Sequence, residues 1–76
     1  MPYSNNGDLP ESVREALPAG AQTIYREAFN SAWEQYADPA TRRGDAGHEE
    51  TAHRVAWGAV KQSYEKRAGR WQKKRQ

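Results

Sequence analysis

The sequence contains no cysteine, which excludes several kinds of chemistry together. A chain without thiols forms no disulfide, offers no thiolate to a metal and has no cysteine nucleophile. It also lacks any run of about 18 apolar residues, so we expect no transmembrane helix. The opening residues, MPYSNNGDLPE, show neither a basic start nor an apolar run, so we expect no signal peptide.

Large aliphatic residues are scarce as well: Leu, Ile, Val and Phe together number seven among 76 residues. So few would indicate disorder if the net charge were high, but the net charge is only +2. Twelve alanines, three tryptophans and four tyrosines supply apolar surface instead. We therefore predict one small domain whose core packs large rings of one helix against small residues of the next.

Two of the three predicted helices lie in the first half of the chain. The first has Leu9, Val13 and Leu17 on one side, and Pro18 limits it to about two turns. The second spans residues 21–37, and its aromatic stripe favours a core over a ligand-binding box. The apolar positions of this second helix are Ala21, Ile24, Tyr25, Ala28, Phe29, Ala32, Trp33 and Tyr36. Its polar side comprises Arg26, Glu27, Asn30, Glu34 and Gln35.

The third predicted helix spans residues 49–69, with Gly69 as its C-terminal cap. Beside its buried stripe, His53 packs against Trp57 and has too few companion ligands for a zinc site. Near the two ends of the chain, Tyr3 and Trp71 are predicted to meet in a small strand pair. The buried stripe comprises Ala52, Val55, Ala56, Ala59, Val60 and Tyr64.

These elements predict a mainly α fold, with three helices and a minor sheet of two or three strands from the terminal segments. We assign residues 1–72 to one domain with a flexible charged loop at about 38–48, and residues 73–76 to a frayed basic tail. The chain is expected to be a monomer.

The charged connection at 38–50 admits two interpretations. Its carboxylates are oxygen donors of the kind that hard cations prefer, but their spacing does not match a calcium-binding loop. Solvated helix-end charges are therefore the favoured interpretation, and weak binding of calcium or magnesium is the alternative. Histidine is the side chain best suited to respond to pH near neutrality, so His48 is a candidate pH sensor. The candidate metal ligands are Asp38, Asp45, Glu49 and Glu50.

Charge is spread unevenly, with a net charge of −4 over residues 1–60 and +6 over residues 61–76. The basic segment suits phosphates of nucleic acid, anionic lipid headgroups or an acidic protein surface. A solubilising, frayed end is an equal alternative. The candidate partner- or phosphate-binding residues are Lys66, Arg67, Arg70, Trp71, Lys73, Lys74 and Arg75.

Catalysis has no support in the sequence. There is no Gly-rich phosphate loop and no Ser–His–Asp arrangement around a strained turn. We therefore predict a protein that is not an enzyme, with no small-molecule substrate and no cofactor, weakly bound calcium or magnesium being the alternative.

Several motifs carry a family resemblance over residues 1–71: DLPESV, the Leu-Pro pair at 17–18, IYREAFNSAWEQY, EETAHRVAW followed by AVK, and Trp71. With these motifs the chain resembles the ChaB family, small bacterial proteins named as cation-transport regulators. The chain departs from that family at the connection, where two Gly, two Arg and a His stand in place of further acidic residues. This departure weighs against a metal site in the loop.

The resemblance implies a three-helix fold with a small sheet, likened to a cyclin-box arrangement. It also implies a cytoplasmic, non-catalytic accessory protein that contacts a sodium or calcium/proton antiporter at the inner face of the membrane. Some relatives look like nucleic-acid binders. A small nucleic-acid-binding module that uses the basic C-terminal segment is therefore the alternative prediction.

Overall fold

The structure, a computed structural model, describes residues 3–38, 40 and 47–74. A 3-10 turn at Asn6–Asp8 is followed by α1 (Glu11–Ala16), α2 (Ala19–Gln35), α3 (His48–Ser63), β1 (Tyr64–Arg67) and β2 (Arg70–Lys73). The predicted fold of three helices with a small sheet is confirmed. Within the described ranges, none of the helices combines the length and apolarity needed to cross a bilayer.

The core lies between α2 and α3, which run antiparallel: Trp33 near the end of α2 stacks on His48 at the start of α3. Large rings of α2, Tyr25 and Phe29, are almost fully buried. Small residues of α3 supply the neighbouring buried positions, as the composition predicts. The buried apolar side chains are Leu9, Val13, Leu17, Ala21, Tyr25, Phe29, Ala32, Ala52, Ala56 and Val60.

The N-terminal segment is held on α2 by hydrogen bonds. The backbone N–H of Tyr3 donates to Oδ1 of Asn30 at 3.1 Å, and Nδ2 of Asn30 donates to the Tyr3 carbonyl at 2.7 Å. Our placement of Asn30 on the polar side of the helix is wrong, because only 6% of it is exposed. The reciprocal pair satisfies its amide, which makes the burial tolerable.

The end of α3 and the sheet differ from prediction. The helix stops at Ser63, and residues 64–73 form an antiparallel hairpin in which Trp71 pairs with Lys66. The predicted strand pairing of Tyr3 with Trp71 is wrong, since the backbone of Tyr3 is hydrogen-bonded to Asn30 of α2 instead. Gly69 does not cap a helix: with φ of 79° it follows Ala68, at 51°, in the two-residue turn. Two successive positive φ values are what a tight hairpin turn requires.

The stripe predicted to be buried on α3 is also partly wrong. Val55 is 38% exposed, whereas Ala52, Ala56 and Val60 are fully buried. Because successive helical residues are about 100° apart, Val55 lies at the margin of the face centred on the other three. The contact with α2 is therefore narrower than the sequence pattern suggests.

We expect different effects from two alanine substitutions at helical glycines. A methyl group at Gly20 would overlap the hydroxyl oxygen of Tyr64, whereas one at Gly58 would meet nothing. Gly58→Ala should raise the free energy of unfolding by about 0.5–1 kcal/mol through helix propensity. Gly20→Ala should gain less than Gly58→Ala or lose up to about 1 kcal/mol, because the added methyl group displaces the hydroxyl end of the half-buried Tyr64. Urea denaturation measures both, and equal gains would contradict the packing of Tyr64 against the start of α2.

Candidate functional site

The hairpin has two faces that differ in their contacts. Tyr64 and Trp71 are half-buried against the core, and the ring of Trp71 lies 5.5 Å from that of Trp57, centroid to centroid. Since side chains alternate along a strand, Arg67 and Arg70, which pair directly across the turn, project from the opposite face. The hairpin therefore docks through its aromatic face and presents arginines outward.

Most cations of the hairpin form no ion pair with another described residue. Arg67 contacts Glu65 at 2.9 Å, an exposed ion pair that contributes little to stability. The remaining cations predicted from the sequence make no ion pair within the described part of the chain. These are Lys66, Arg70, Lys73 and Lys74, all exposed. Arg75 lies outside the described residues, and Trp71 packs against Trp57 within the fold. The accessible residues of the predicted set that the structure describes are therefore Lys66, Arg67, Arg70, Lys73 and Lys74.

We predicted that His48 lies in the connecting loop, but it is the first residue of α3. Its ring stacks on Trp33 with centroids 3.6 Å apart, and its Nε2–H donates to the Trp33 carbonyl. That carbonyl belongs to the last turn of α2, whose terminal carbonyls have no partner within the helix. His48 thus joins the end of α2 to the start of α3. Its role as a pH sensor stays a prediction.

The predicted metal ligands do not converge where the structure describes them. Asp38 accepts a hydrogen bond from the backbone N–H of Ala40 at 2.9 Å. Glu50 pairs with Arg54 at 3.2 Å, and Glu49 lies beside it in the first turn of α3. Among the described residues, no group of three His, Asp or Glu could hold a metal ion. Asp45 lies outside the described residues, and the calcium or magnesium site stays a prediction.

A tyrosine–histidine pair that we did not predict bridges α2 and α3. The hydroxyl of Tyr25 lies 2.6 Å from Nδ1 of His53. Burial, with smaller contributions from Tyr3 and Glu49, raises the pKa of Tyr25 to about 12. The phenol is therefore neutral at ordinary pH and shares a hydrogen bond with Nδ1 of His53, in which the hydroxyl donates when Nδ1 carries no proton.

Comparison with known proteins identifies the fold and the family. Residues 9–74 match the ChaB family model. The chain belongs to the ChaB family. Proteins named "Putative cation transport regulator ChaB" from Escherichia coli strain K12 and from Shigella flexneri are each 60% identical to it over 75 residues. The alignment covers 97% of this chain and 99% of each relative.

A solved structure supports the same assignment. The NMR solution structure of "the putative cation transport regulator ChaB" aligns with a TM-score of 0.80 at 59% identity. That alignment covers 97% of this chain and all of the other. The ChaB match begins at Leu9, the first buried residue, and ends at Lys74, whose N–H donates to the carbonyl of Ser63. The hairpin is therefore part of the ChaB unit.

We expect alkaline pH to destabilise the fold through Tyr25. An unfolded tyrosine loses its proton near pH 10, whereas the folded one keeps it to about pH 12, so the folded state binds more protons between these values. The free energy of unfolding should therefore fall as pH rises through this range. Tyr25→Phe should make that fall shallower and, at neutral pH, cost about 0.5–1.5 kcal/mol through the lost hydrogen bond.

Urea denaturation from about pH 8 to about pH 12 measures this slope. The parent chain and Tyr25→Phe share every lysine and arginine, so those titrations cancel in the comparison. If the free energy of unfolding fell equally steeply with pH in the two proteins, the raised pKa of the Tyr25 hydroxyl would be contradicted.

Proposed function

We propose that this chain is a non-catalytic accessory protein of a cation/proton antiporter of the sodium or calcium type. It acts from the cytoplasmic side, at the periphery of the membrane, through protein contacts and electrostatics. The observation that carries this proposal is the relationship to proteins named as cation transport regulators, at 60% identity over nearly the whole of both chains. The proposal names the transporter and the mode of contact, which that name does not include.

The hairpin supports this mode of contact. Arg67 and Arg70 project from a two-stranded platform that Tyr64 and Trp71 fix on the helices. An arginine guanidinium forms paired hydrogen bonds with a carboxylate or a phosphate. Each basic residue close to an anionic leaflet contributes about 1 kcal/mol to attachment. Such a surface suits an acidic cytoplasmic loop of a transporter beside anionic lipid headgroups.

Cation/proton exchange in inverted membrane vesicles provides the test. Vesicles that contain the antiporter are acidified, calcium or sodium is added, and the collapse of the pH gradient is followed with and without the purified protein. We expect the protein to change the rate of collapse, and the double variant Arg67→Ala/Arg70→Ala to lose at least half of that effect.

A matched control removes the same charge elsewhere. Arg54→Ala/Lys61→Ala also deletes two exposed cations, one of them ion-paired, but neither belongs to the hairpin. This control should retain the effect on exchange. An unchanged rate with the parent protein, together with failure to recover the antiporter from solubilised membranes, would overturn the proposal.

A second candidate function is binding of nucleic acid by the same cations. The outward arginines favour it, whereas the −4 net charge of residues 1–60 and the packing of Trp71 on Trp57 oppose it. Binding to phosphates should weaken steeply as salt is added. A gel shift with short duplex and single-stranded DNA at low salt is the measurement, and the absence of a complex there would discard this candidate.

A further inference from the structure

The strand β2 has a row of backbone groups that pair with no other described residue. In an antiparallel pair, residues whose N–H and C=O groups point to the partner strand alternate with residues whose groups point away. The N–H of Lys74 donates to the carbonyl of Ser63 at 2.9 Å, and every second pair toward the turn repeats this pattern. The N–H and C=O groups of Trp71 and Lys73 therefore point away from β1, to the outer edge of the sheet.

The outer edge of β1 is less open than that of β2. Strand β1 continues directly from α3, and the N–H of Tyr64 donates to the carbonyl of Val60 in the last turn of that helix. Within the described residues, no backbone hydrogen bond from outside the hairpin reaches the edge of β2. An open strand edge is a template on which another extended chain can pair.

The charge of β2 decides which kind of chain suits this edge. Arg70, Lys73 and Lys74 are exposed, and none of them forms an ion pair with a described residue. Strand β2 itself contains no acidic residue. A second copy of this chain added here would bring cations opposite cations, which opposes pairing. A segment that carries Asp or Glu would instead gain cross-strand ion pairs, so charge complementarity selects an acidic strand.

The edge is held in position by the rest of the fold. Trp71 packs on Trp57 of α3 with ring centroids 5.5 Å apart, and the hydroxyl of Tyr64 lies against Gly20 at the start of α2. A two-stranded hairpin on its own is marginally stable, but this one is supported by the helices. An added strand therefore meets a preformed edge, and the entropic cost of ordering falls on the partner segment.

We propose that an acidic, extended segment of a partner protein adds to the outer edge of β2 as a third strand. Its backbone pairs with the outward N–H and C=O groups of Trp71 and Lys73, and its carboxylates meet the cations of β2 and Lys74. The inference rests on the proposed function in taking the hairpin as the contact surface, and it adds the conformation and the charge of the segment bound there.

Amide NMR with a blocked peptide tests the strand addition without any antiporter. The probe is a heptapeptide of alternating glutamate and valine, added at constant ionic strength. We expect saturating shifts centred on β2 and slower hydrogen exchange at the amides of Trp71 and Lys73, which the hairpin itself leaves unprotected. The amide of Gln72 is already bonded to β1, so its exchange provides the internal control and should change little.

N-methylation of the peptide separates backbone pairing from charge. A heptapeptide methylated on every backbone nitrogen carries the same carboxylates but has no N–H to donate and cannot approach a strand edge closely. It should bind about tenfold more weakly than the unmethylated peptide. This comparison leaves the protein unchanged, so it does not depend on the folding of a variant.

Two substitutions at one residue make the same distinction in the protein. Lys73→Gln and Lys73→Pro remove the same charge, but only proline also removes the outward N–H. The hairpin's own hydrogen bonds do not use that N–H, so an edge strand tolerates proline there. Lys73→Gln should weaken the peptide about threefold, and Lys73→Pro about tenfold. An unchanged indole signal of Trp71 shows that the hairpin of Lys73→Pro is folded.

Three results with the peptide would overturn the proposal: no saturating shifts, equal affinity for the N-methylated peptide, or equal affinity of Lys73→Gln and folded Lys73→Pro. Concentration-dependent protection of Trp71 and Lys73 without peptide would assign the edge to a second copy instead. Binding of short single-stranded DNA at the hairpin, with none of the peptide, would assign the surface to nucleic acid. Failure of the peptide alone leaves the antiporter proposal to the exchange assay, which uses no peptide.

Discussion

The packing of two rings against two alanines is the contact on which the rest of the structure depends. Tyr25 and Phe29 on α2 are buried to within 2% of full coverage, and Ala52 and Ala56 on α3 have no exposed surface. Small side chains let two helices approach closely, so that large rings of one fill the space beside the backbone of the other. A chain with so few large aliphatic residues builds much of its core in this way, and Leu9, Val13, Leu17 and Val60 complete it.

Because α2 and α3 pack antiparallel, contacts at their two ends position the start of α3 and the hairpin. At one end His48 stacks on Trp33 and joins the two helices, and at the other Tyr64 lies against Gly20 and starts the hairpin. The acidic first turn of α3, with Glu49 and Glu50, and the basic hairpin therefore lie at opposite ends of α3, about 24 Å apart for a helix of 16 residues. This separation keeps two surfaces of opposite charge from neutralising each other.

The sequence predicts the helices and the composition of the core well, because both depend on local periodicity. It does not predict the hairpin, because residues 64–73 lack the alternation of a half-buried strand and are held by distant contacts such as Trp71 on Trp57. A glycine with positive φ suits a helix cap and a hairpin turn equally. The predicted helix cap at Gly69 is therefore a hairpin turn in the structure.

The site was predicted less completely than the fold. The basic residues could be identified from their clustering, whereas their division between two hairpin faces follows from a register that no local pattern reveals. Asn30 and the Tyr25–His53 pair depend on which residues meet across 27 or 28 positions of chain. A polar residue at the edge of an apolar helix stripe can indicate a buried hydrogen bond. The pattern of one helix does not show which residue of another segment completes that bond.

The most direct measurement of the central packing claim is the urea-denaturation free energy of Ala56→Leu, compared with Val55→Leu. Both replace a neighbouring residue of α3 with leucine, but residue 56 is fully buried and residue 55 is 38% exposed. The account predicts a loss of about 1–3 kcal/mol or more for Ala56→Leu and a change below about 0.5 kcal/mol for Val55→Leu. A leucine tolerated equally at both positions would contradict it.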